Sequence, residues 1–157
     1  MPIKLPPANA VADMLGGLIS RAVTAKAAPA LKLDLGSQSV AAYLDESKSL
    51  LAVAYCDLPV GASLAAALML VPSERVDECV KEKELDTVLK ENLYEIFNVM
   101  ASLFPKNGAP RLVLRELNAD GTIPDDVKAV LDKPGARLDL DINVSGYRSG
   151  KLAILSH

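Results

Sequence analysis

The amino-acid sequence predicts an α+β fold with a mostly antiparallel β-sheet and one long surface helix. Short runs of alternating apolar and polar residues come in pairs joined by turn residues, which is typical of antiparallel hairpins. Helical patterns stand between groups of strands and do not alternate regularly with single strands, which argues against the parallel α/β classes. Half of the 157 residues are apolar, enough to bury a sizeable core, so we expect residues 1–157 to form a single domain.

The predicted elements follow in the order helix, about four strands, two helices, strand, short helix and two strands. Apolar residues at spacings of three and four indicate the helices, and alternation with a period of two indicates the strands. The predicted bounds are helix 8–24, strands 31–35, 40–45, 50–57 and 62–71, helices 74–81 and 84–104, strand 111–117, helix 125–131, and strands 138–144 and 147–155.

Two of these assignments depend on opposed signals. Gly16 and Gly17 lie inside the first helix and weaken it by roughly 1 kcal/mol each against alanine, so either a neighbour approaches closely there or the helix ends earlier. Residues 62–71 are rich in alanine, which favours a helix. They also follow two strands and lie between Gly61 and Pro72, which favours a third, buried strand. We predict the strand.

Capping and turn residues define the ends of the later elements. Ser73 is a natural N-cap for the helix that follows it, and Pro105 with its adjoining turn ends the long helix. Pro124 occupies a first-turn position of the short helix. Ser145 and Gly146 form the turn of the last hairpin, which is the clearest hairpin in the chain.

Composition excludes several classes of function. A net charge of −3 and scattered aromatic residues provide no basic surface for a phosphate backbone, so we expect no nucleic-acid partner. Cys56 and Cys79 lie in apolar patterns without CxxC spacing and are predicted to be small buried hydrophobes. His157 is the only histidine, which excludes a Ser-His-Asp triad, a Cys-His pair and a multi-histidine metal site. We therefore expect no metal or cofactor of the chain's own.

No segment has the pattern of an export signal or a membrane span. The apolar stretch after the proline-rich N-terminus is interrupted by Asp13 and Arg21, which is wrong for a signal peptide. The longest uncharged run, 58–71, is too short to cross a bilayer as a helix. With no disulfide framework either, we expect a soluble cytoplasmic protein without a membrane partner.

The long helix carries the candidate site. Glu91, Glu95, Asn98 and Ser102 are spaced by four, three and four residues, so at about 100° per residue they fall within roughly 60° of one another. An exposed polar face without function is one interpretation. Two properties count against it, because asparagine is a poor helix former and no Lys or Arg on this stripe pairs with the carboxylates.

Carboxylates elsewhere have simpler explanations. Asp139 and Asp141 alternate along a predicted strand, and we expect them to lie on its solvated outer face. Asp125 and Asp126 complement the N-terminus of the short helix. Neither pair is predicted to be functional.

The segment 91–98, Glu-Asn-Leu-Tyr-Glu-Ile-Phe-Asn, resembles the signature of the CheC/CheX chemotaxis phosphatase family. In that signature an Asp or Ser is followed, after three residues, by Glu-Ile-x-Asn on a surface helix. Residues 62–71 with Pro72 and a helix after them look like the family's apolar strand ahead of the motif, and the closing hairpin is similar in character. With a single Glu-x-x-Asn, the chain resembles the CheX type more than the double-motif CheC type.

The resemblance implies a reaction and a partner. The substrate would be the aspartyl phosphate of a CheY-like response-regulator receiver domain, in chemotaxis or two-component signalling. Glu95 would form a salt bridge with the receiver's active-site lysine, and the carboxamide of Asn98 would orient a water for in-line attack. Glu91 and Ser102 would contact the partner, and the receiver would supply the Mg2+ ion. Because CheX-type proteins are dimers, the resemblance also implies a homodimer.

Two departures from the signature keep other hypotheses open. Glu91 stands where Asp or Ser is usual, and Phe97 stands where Gly is common. Phe97 lies at the edge of the apolar face and is expected to pack there, although bulk at this position bears on how closely a receiver docks. A non-catalytic protein-interaction or adaptor domain of the same fold is the alternative to a phosphatase. A structural domain with a plain polar helix is the third hypothesis.

Overall fold

The computed structural model of the protein describes residues 4–34, 37–104, 111–118 and 121–157. Within these residues the chain forms five α-helices and six β-strands. In chain order they are α1 (Ala8–Ile19), β1 (Val23–Ala27), β2 (Ser39–Leu44), β3 (Leu50–Cys56), α2 (Leu58–Leu68), α3 (Ser73–Glu82), α4 (Thr87–Met100), β4 (Val113–Asn118), α5 (Asp125–Asp132), β5 (Ala136–Val144) and β6 (Gly150–Ser156). A 3₁₀ turn, Ala101–Leu103, follows α4 directly.

The described strands form one sheet in the order β1-β5-β6-β3-β2-β4, and every neighbouring pair is antiparallel. The predicted α+β class with an antiparallel sheet is therefore confirmed. Both predicted hairpins are present, β2 with β3 and β5 with β6. The alternation predicted for β5 is also observed, since Leu140, Ile142 and Val144 are buried while Asp141 and Asn143 are exposed.

Helices α1 to α4 cover one face of the sheet. Their apolar side chains form one cluster with residues of the central strands such as Tyr43, Ala54 and Ile154. On the opposite face, α5 and the segment before β2 pack over a smaller cluster that includes Val53 and Leu155. Strands β2, β3 and β6 are thus covered on both faces, which explains why their sequences are almost continuously apolar.

The predicted strand at 62–71 is wrong, because this region belongs to α2 and the turn after it. Asp57 caps the helix, its carboxylate accepting a hydrogen bond from the Val60 amide at 3.1 Å, and Pro59 lies in the first turn. This start signal precedes the alanine-rich stretch, which then follows its helix propensity. The helix is apolar on all sides because it is buried against the sheet, α3 and α4.

The first helix ends at Ile19, before the predicted end at Thr24. Ser20 adopts a left-handed conformation with φ of 55°, and its amide bonds to the Gly16 carbonyl. The backbone also returns past Gly16, where a Cβ would lie 3.0 Å from the Arg21 carbonyl oxygen. Both explanations are therefore correct for Gly16: the helix ends early and a neighbour approaches closely. At Gly17 a Cβ would meet no described atom within 4 Å, so only the early end of the helix applies there.

The predicted strand at 31–35 is wrong for residues 31–34, which have no regular structure, and Leu35 lies outside the described residues. The first strand is instead β1, which pairs with β5 at one edge of the sheet. Its alternation, Val-Thr-Ala-Lys-Ala, is short and weakly apolar. The helical pattern before it runs into it, so periodicity alone does not separate the two elements.

Polar contacts hold the segment 28–34 against the sheet. The Leu31 amide donates to Asp139 Oδ1 at 2.8 Å, and the Tyr55 hydroxyl donates to the Leu31 carbonyl at 2.5 Å. The Arg137 guanidinium donates to both Asp139 oxygens, at 2.8 and 2.7 Å, and to the Tyr55 hydroxyl at 2.8 Å. Asp139 is therefore not the solvated surface acid that alternation predicts, because its side chain is 8% exposed and belongs to this network.

The remaining elements agree with prediction apart from their ends. α3 begins at Ser73 itself, with Pro72 in the capping position. Pro124 is likewise the residue before α5 and not part of its first turn. The last strand begins at Gly150, three residues after the predicted start. The long helix, predicted for 84–104, is α-helical only from Thr87 to Met100 and continues as the 3₁₀ turn Ala101–Leu103. Its predicted stop at Pro105 lies outside the described residues.

Replacing Asp139 by asparagine tests the network around Leu31. Burial raises the pKa of the Asp139 carboxyl, but hydrogen bonds from Arg137 and the Leu31 amide outweigh burial, so this pKa lies below its ordinary value. Such a carboxylate stabilises the fold above its unfolded pKa, and that contribution is lost as the pH falls through the folded pKa. We expect Asp139→Asn to lower the free energy of unfolding by about 1–3 kcal/mol at neutral pH in urea titrations.

The same titrations repeated down to about pH 3 should show a shallower acid-induced loss of stability for Asp139→Asn than for the wild type. Asp141→Asn changes an exposed carboxylate of the same strand and is the matched control. It should stay within about 0.5 kcal/mol of the wild type at neutral pH. Equal acid sensitivity of Asp139→Asn and the wild type would contradict the assigned network.

Leu70 is strained at the end of α2. Its φ is 57°, its amide bonds to the Ala67 carbonyl at 3.3 Å, and the Val71 amide bonds to the Ala66 carbonyl at 2.8 Å, which together form a Schellman motif. Glycine is the usual residue at this position, and the Leu70 side chain is 74% exposed, so it has little packing to lose. We expect Leu70→Gly to raise the free energy of unfolding by roughly 0.5–1 kcal/mol in urea titrations. Leu70→Ala removes the side chain but keeps the strain, so a gain in that variant too would point to another cause.

Candidate functional site

α4 has one apolar side and one polar side. Asp86 caps the helix, its carboxylate accepting a hydrogen bond from the Leu89 amide at 2.8 Å. Each buried apolar side chain contributes about 1.5–3 kcal/mol through removal of its surface from water. The buried residues of the helix are Leu89, Leu93, Ile96, Phe97 and Met100. Their packing fixes the rotation of α4 about its axis, so the opposite side faces away from the sheet.

The four predicted site residues lie on the exposed side. Glu91, Glu95 and Asn98 are exposed on α4 itself, and Ser102 is exposed in the 3₁₀ turn after it. Glu95 and Asn98 are three residues apart in a regular helix, so their side chains project from adjacent turns of one face. Within the described ranges, no hydrogen bond or ion pair involves the side chains of Glu91, Glu95 or Asn98. These three side chains are available to a partner molecule.

Ser102 differs from the other three residues. Its hydroxyl donates to the Val99 carbonyl at 2.8 Å, so its proton is already used within the turn. The tighter 3₁₀ geometry also rotates it relative to an ideal α-helix. Its contact with a partner stays a prediction.

Tyr43 of β2 anchors the C-terminal half of α4. It is fully buried, and its hydroxyl donates to the Phe97 carbonyl at 2.7 Å. The helix changes to tighter 3₁₀ hydrogen bonding at this point, since the Ala101 amide bonds to the Asn98 carbonyl. The Tyr43 hydroxyl thus provides the Phe97 carbonyl with a donor near the helix end. The Phe104 ring packs on Tyr43 with 5.3 Å between ring centroids. Burial raises the pKa of Tyr43 well above its ordinary value, so the hydroxyl keeps the proton that it donates.

α2 holds the other flank of α4. The Asn92 carboxamide donates to the Ala65 carbonyl at 3.1 Å. Gly61 allows a close approach of the layers, because a Cβ there would lie 3.1 Å from the Cys56 sulfur and 3.3 Å from Leu93 Cδ2. Contacts from β2 on one side and α2 on the other therefore fix the position of the exposed face.

A depression of about 280 Å³ opens beside Asn98. It lies between the end of α4, the 3₁₀ turn and the start of β4, with Ser102 and Val113 among its lining residues. Arg111, which is exposed, is the one charged residue among the described residues that line it. Asn98 and Arg111 thus line the same depression, and both side chains carry hydrogen-bond donors suited to an anion.

Sequence periodicity is sufficient to find Glu91, Glu95 and Asn98, because it depends only on spacing along one helix. Tyr43 and Arg111 are not detectable in that way. Each comes from a strand region that meets α4 only in the folded chain, and neither belongs to a local motif.

The cysteines and the acidic side chains form no metal-type cluster in the described part of the chain. Cys56 and Cys79 are free and buried, as predicted, and burial raises the pKa of both thiols. No group of three or more His, Cys, Asp and Glu side chains there has the arrangement of a metal site. None of the described helices combines the length and the apolar character that crossing a bilayer requires.

Comparisons with known proteins identify the fold. No protein-family model and no curated protein sequence matches the chain. Solved structures match it over nearly its whole length at low sequence identity. The FliM-SpeE complex from H. pylori gives a match at 8% identity with a TM-score of 0.66, covering 95% of this chain and 80% of that one.

Two further matches are structures of FliY and of a CheX-CheY complex. FliY from Thermotoga maritima is 14% identical with a TM-score of 0.58, covering 93% of this chain and 81% of that one. A chain of the CheX-CheY complex with BeF3 and Mg2+ from Borrelia burgdorferi is 14% identical with a TM-score of 0.58, covering 95% and 94%. The protein therefore has a CheC/CheX-like fold, as the resemblance of segment 91–98 predicts. At these identities the matches establish the fold alone.

Removing the Tyr43 hydroxyl tests the anchor of α4. Tyr43→Phe keeps the ring packing and deletes the donor to a buried carbonyl, so we expect a loss of about 1–3 kcal/mol in the free energy of unfolding. Amide hydrogen exchange in the last turn of α4 should accelerate. Tyr94→Phe removes a hydroxyl from a residue that is 42% exposed on the same helix, and it should change stability by less than about 0.5 kcal/mol. Equal effects of the two substitutions would rule the anchor out.

Proposed function

We propose that the protein binds a CheY-like receiver domain and hydrolyses its aspartyl phosphate. The observation that carries the proposal is the pair Glu95 and Asn98, which is exposed, one helical turn apart and without a partner among the described residues. The anchors at Tyr43 and Asn92 hold the helix that presents this pair. The Glu-Ile-x-Asn sequence and the likeness of fold to a CheX-CheY complex support the proposal.

In the proposed reaction Asn98 positions the attacking water. Its carboxamide accepts a hydrogen bond from the water and directs the water oxygen at phosphorus. The bond from water to phosphorus forms as the bond from phosphorus to the aspartyl oxygen breaks, and the electron pair of that bond stays on the carboxylate. One water proton remains on the new hydroxyl group and the other passes to a phosphoryl oxygen. The products are the receiver's free aspartate and dihydrogen phosphate.

The other residues of the exposed face act in binding. Glu95 pairs with the receiver's active-site lysine, and Glu91 and Ser102 contact the receiver on either side of the pair. Phe97, which replaces the glycine common in the signature, is 1% exposed and packs into the core, so its bulk does not lie on the docking surface. The Mg2+ ion comes with the receiver, and the chain contributes no cofactor.

A non-catalytic adaptor of the same fold is the second candidate function. The observation that favours it is the match to the FliM-SpeE complex, in which a protein of this fold is bound to another protein. One fold serves unrelated functions, and the difference lies in a few exposed side chains. The two candidates share the docking surface around Glu95 and differ in whether phosphate is released.

The proposal also includes a homodimer in the cytoplasm, as the resemblance implies. Strands β1 and β4 form the two edges of the described sheet, and strand pairing across an edge is one geometry open to such a dimer. Light scattering of the purified protein measures the oligomeric state. A monomer at micromolar concentration would contradict the dimer without affecting the proposed reaction.

Phosphate release from phosphorylated receivers of the host tests the reaction. We expect the wild type to accelerate release from at least one receiver, and Asn98→Ala to lower the rate constant by about 100-fold or more while retaining binding. Asn143→Ala changes an exposed asparagine on the other face of the sheet and should keep the wild-type rate. If no receiver loses phosphate faster with the wild type than without it, the phosphatase is ruled out.

Charge reversal at Glu95 separates the two candidate functions. Glu95→Lys sets a positive charge against the receiver's lysine and should weaken binding by about tenfold or more. Asp132→Lys makes the same change of charge on α5, on the opposite face of the sheet, and should bind as the wild type does. A receiver that is lost on Glu95→Lys but never dephosphorylated favours the adaptor. A bound receiver that is insensitive to this change contradicts both candidates.

A further inference from the structure

Arg111 is the one arginine in the described part of the chain that has no partner. An arginine side chain carries five N–H donors. Each of the other arginines has at least one partner, in an ion pair, in a backbone hydrogen bond or at an aromatic ring. The partnered arginines are Arg21, Arg75, Arg115, Arg137 and Arg148. Arg111 is exposed, and no interaction with a described residue occupies its guanidinium. It is therefore free to bind a group from another molecule.

Arg111 lies close to one of the predicted site residues. Arg111 and Asn98 line the same depression at the C-terminal end of α4, and no other charged residue among the described ones lines it. Glu91 and Glu95 lie on the other side of Asn98, toward the N-terminal end of the helix. The exposed face thus runs from two carboxylates through a carboxamide to a guanidinium. Such a surface complements a partner whose own charges run in the opposite order.

This arrangement matches the chemistry of the proposed substrate. With the receiver's lysine at Glu95 and the phosphoryl group at Asn98, the next group along the surface is Arg111. A phosphoryl group carries about two negative charges near neutral pH, and its charge is spread over the oxygens as the bond to the aspartyl oxygen breaks. A guanidinium binds two such oxygens at once through its planar fork, which an ammonium group does not.

We propose that Arg111 binds the phosphoryl oxygens of the receiver's aspartyl phosphate and stabilises their charge during hydrolysis. This inference rests on the proposed function and adds a second catalytic residue to Asn98. Arg111 forms and breaks no covalent bond and keeps its proton throughout, so the balance of the hydrolysis is unchanged. Its contribution is electrostatic, directed at charge that develops in the transition state.

Arg111→Ala and Arg111→Lys test the inference, with Lys128→Ala as a control that removes one exposed cation from α5 on the opposite face. Phosphate release is measured for each protein as kcat and KM on the receiver that the wild type hydrolyses. We expect Arg111→Ala to lower kcat by about tenfold or more, Arg111→Lys to recover part of that loss, and Lys128→Ala to match the wild type. Thermal unfolding of each variant verifies that the fold is kept.

A second measurement does not depend on turnover. Affinity for the receiver is compared with and without beryllofluoride, which stands in for the phosphoryl group. The wild type should prefer the beryllofluoride form, and Arg111→Ala should lose most of that preference while binding the unmodified receiver about as the wild type does.

The outcomes separate the two proposals. If Arg111→Ala hydrolyses at the wild-type rate while Asn98→Ala does not, the role of Arg111 is overturned and the phosphatase stands. If the wild type binds receivers without hydrolysing them, the loss of beryllofluoride preference in Arg111→Ala still supports the contact, and an unchanged preference overturns it. If the wild type neither binds nor hydrolyses any receiver, both proposals fall.

Discussion

The packing of α4 on the sheet is the contact on which the rest of the structure depends. Its apolar side chains are removed from water against the central strands, and this sets the rotation of the helix. Apolar contacts are not directional, so hydrogen bonds fix the position of the helix more narrowly. The Tyr43 hydroxyl donates to the Phe97 carbonyl between the sheet and α4, and the Asn92 carboxamide donates to the Ala65 carbonyl of α2. Gly61 allows the neighbouring helix, α2, to approach both Cys56 and Leu93 closely. The exposed face that carries Glu95 is a consequence of these contacts.

The sheet beneath α4 is covered on both faces at its central strands. Strands β2, β3 and β6 contribute to both apolar clusters, so their side chains are buried irrespective of the direction in which they point. The same fold occurs in structures of FliM, FliY and a CheX-CheY complex at 8% to 14% identity. A core of this kind tolerates wide change in its residues provided that volume and pattern are kept. In the proposed function, the residues that act on the receiver lie on the surface of α4 and beside it, at Glu95, Asn98 and Arg111.

The sequence correctly predicted those elements whose start signal, hydrophobic period and end signal all indicate the same type of element. The β2-β3 and β5-β6 hairpins, α3, α4 and α5 all have such signals, and they are observed with shifts at their ends. The prediction for α2 was wrong for two reasons. The helix is apolar on every side, so its sequence shows no helical period, and the start signal at Asp57 lies before the ambiguous stretch 62–71. Residues 31–34 alternate like a strand, but Tyr55 and Asp139 bind the backbone groups of Leu31 that a strand neighbour would otherwise occupy. Tyr55 and Asp139 lie too far from Leu31 in the sequence for a pattern of neighbouring residues to reveal these contacts.

The sequence by itself determined the composition of the exposed face of α4. Helical periodicity depends on neighbours within one turn, so Glu91, Glu95 and Asn98 share a face wherever the helix packs. The tertiary structure decided what surrounds that face: Tyr43 beneath it, Asn92 bound to α2 at its flank, and Arg111 beside Asn98. Those relations join residues from separate elements, and they exist only after loop closure and burial have brought β2, α2 and the start of β4 to the same helix.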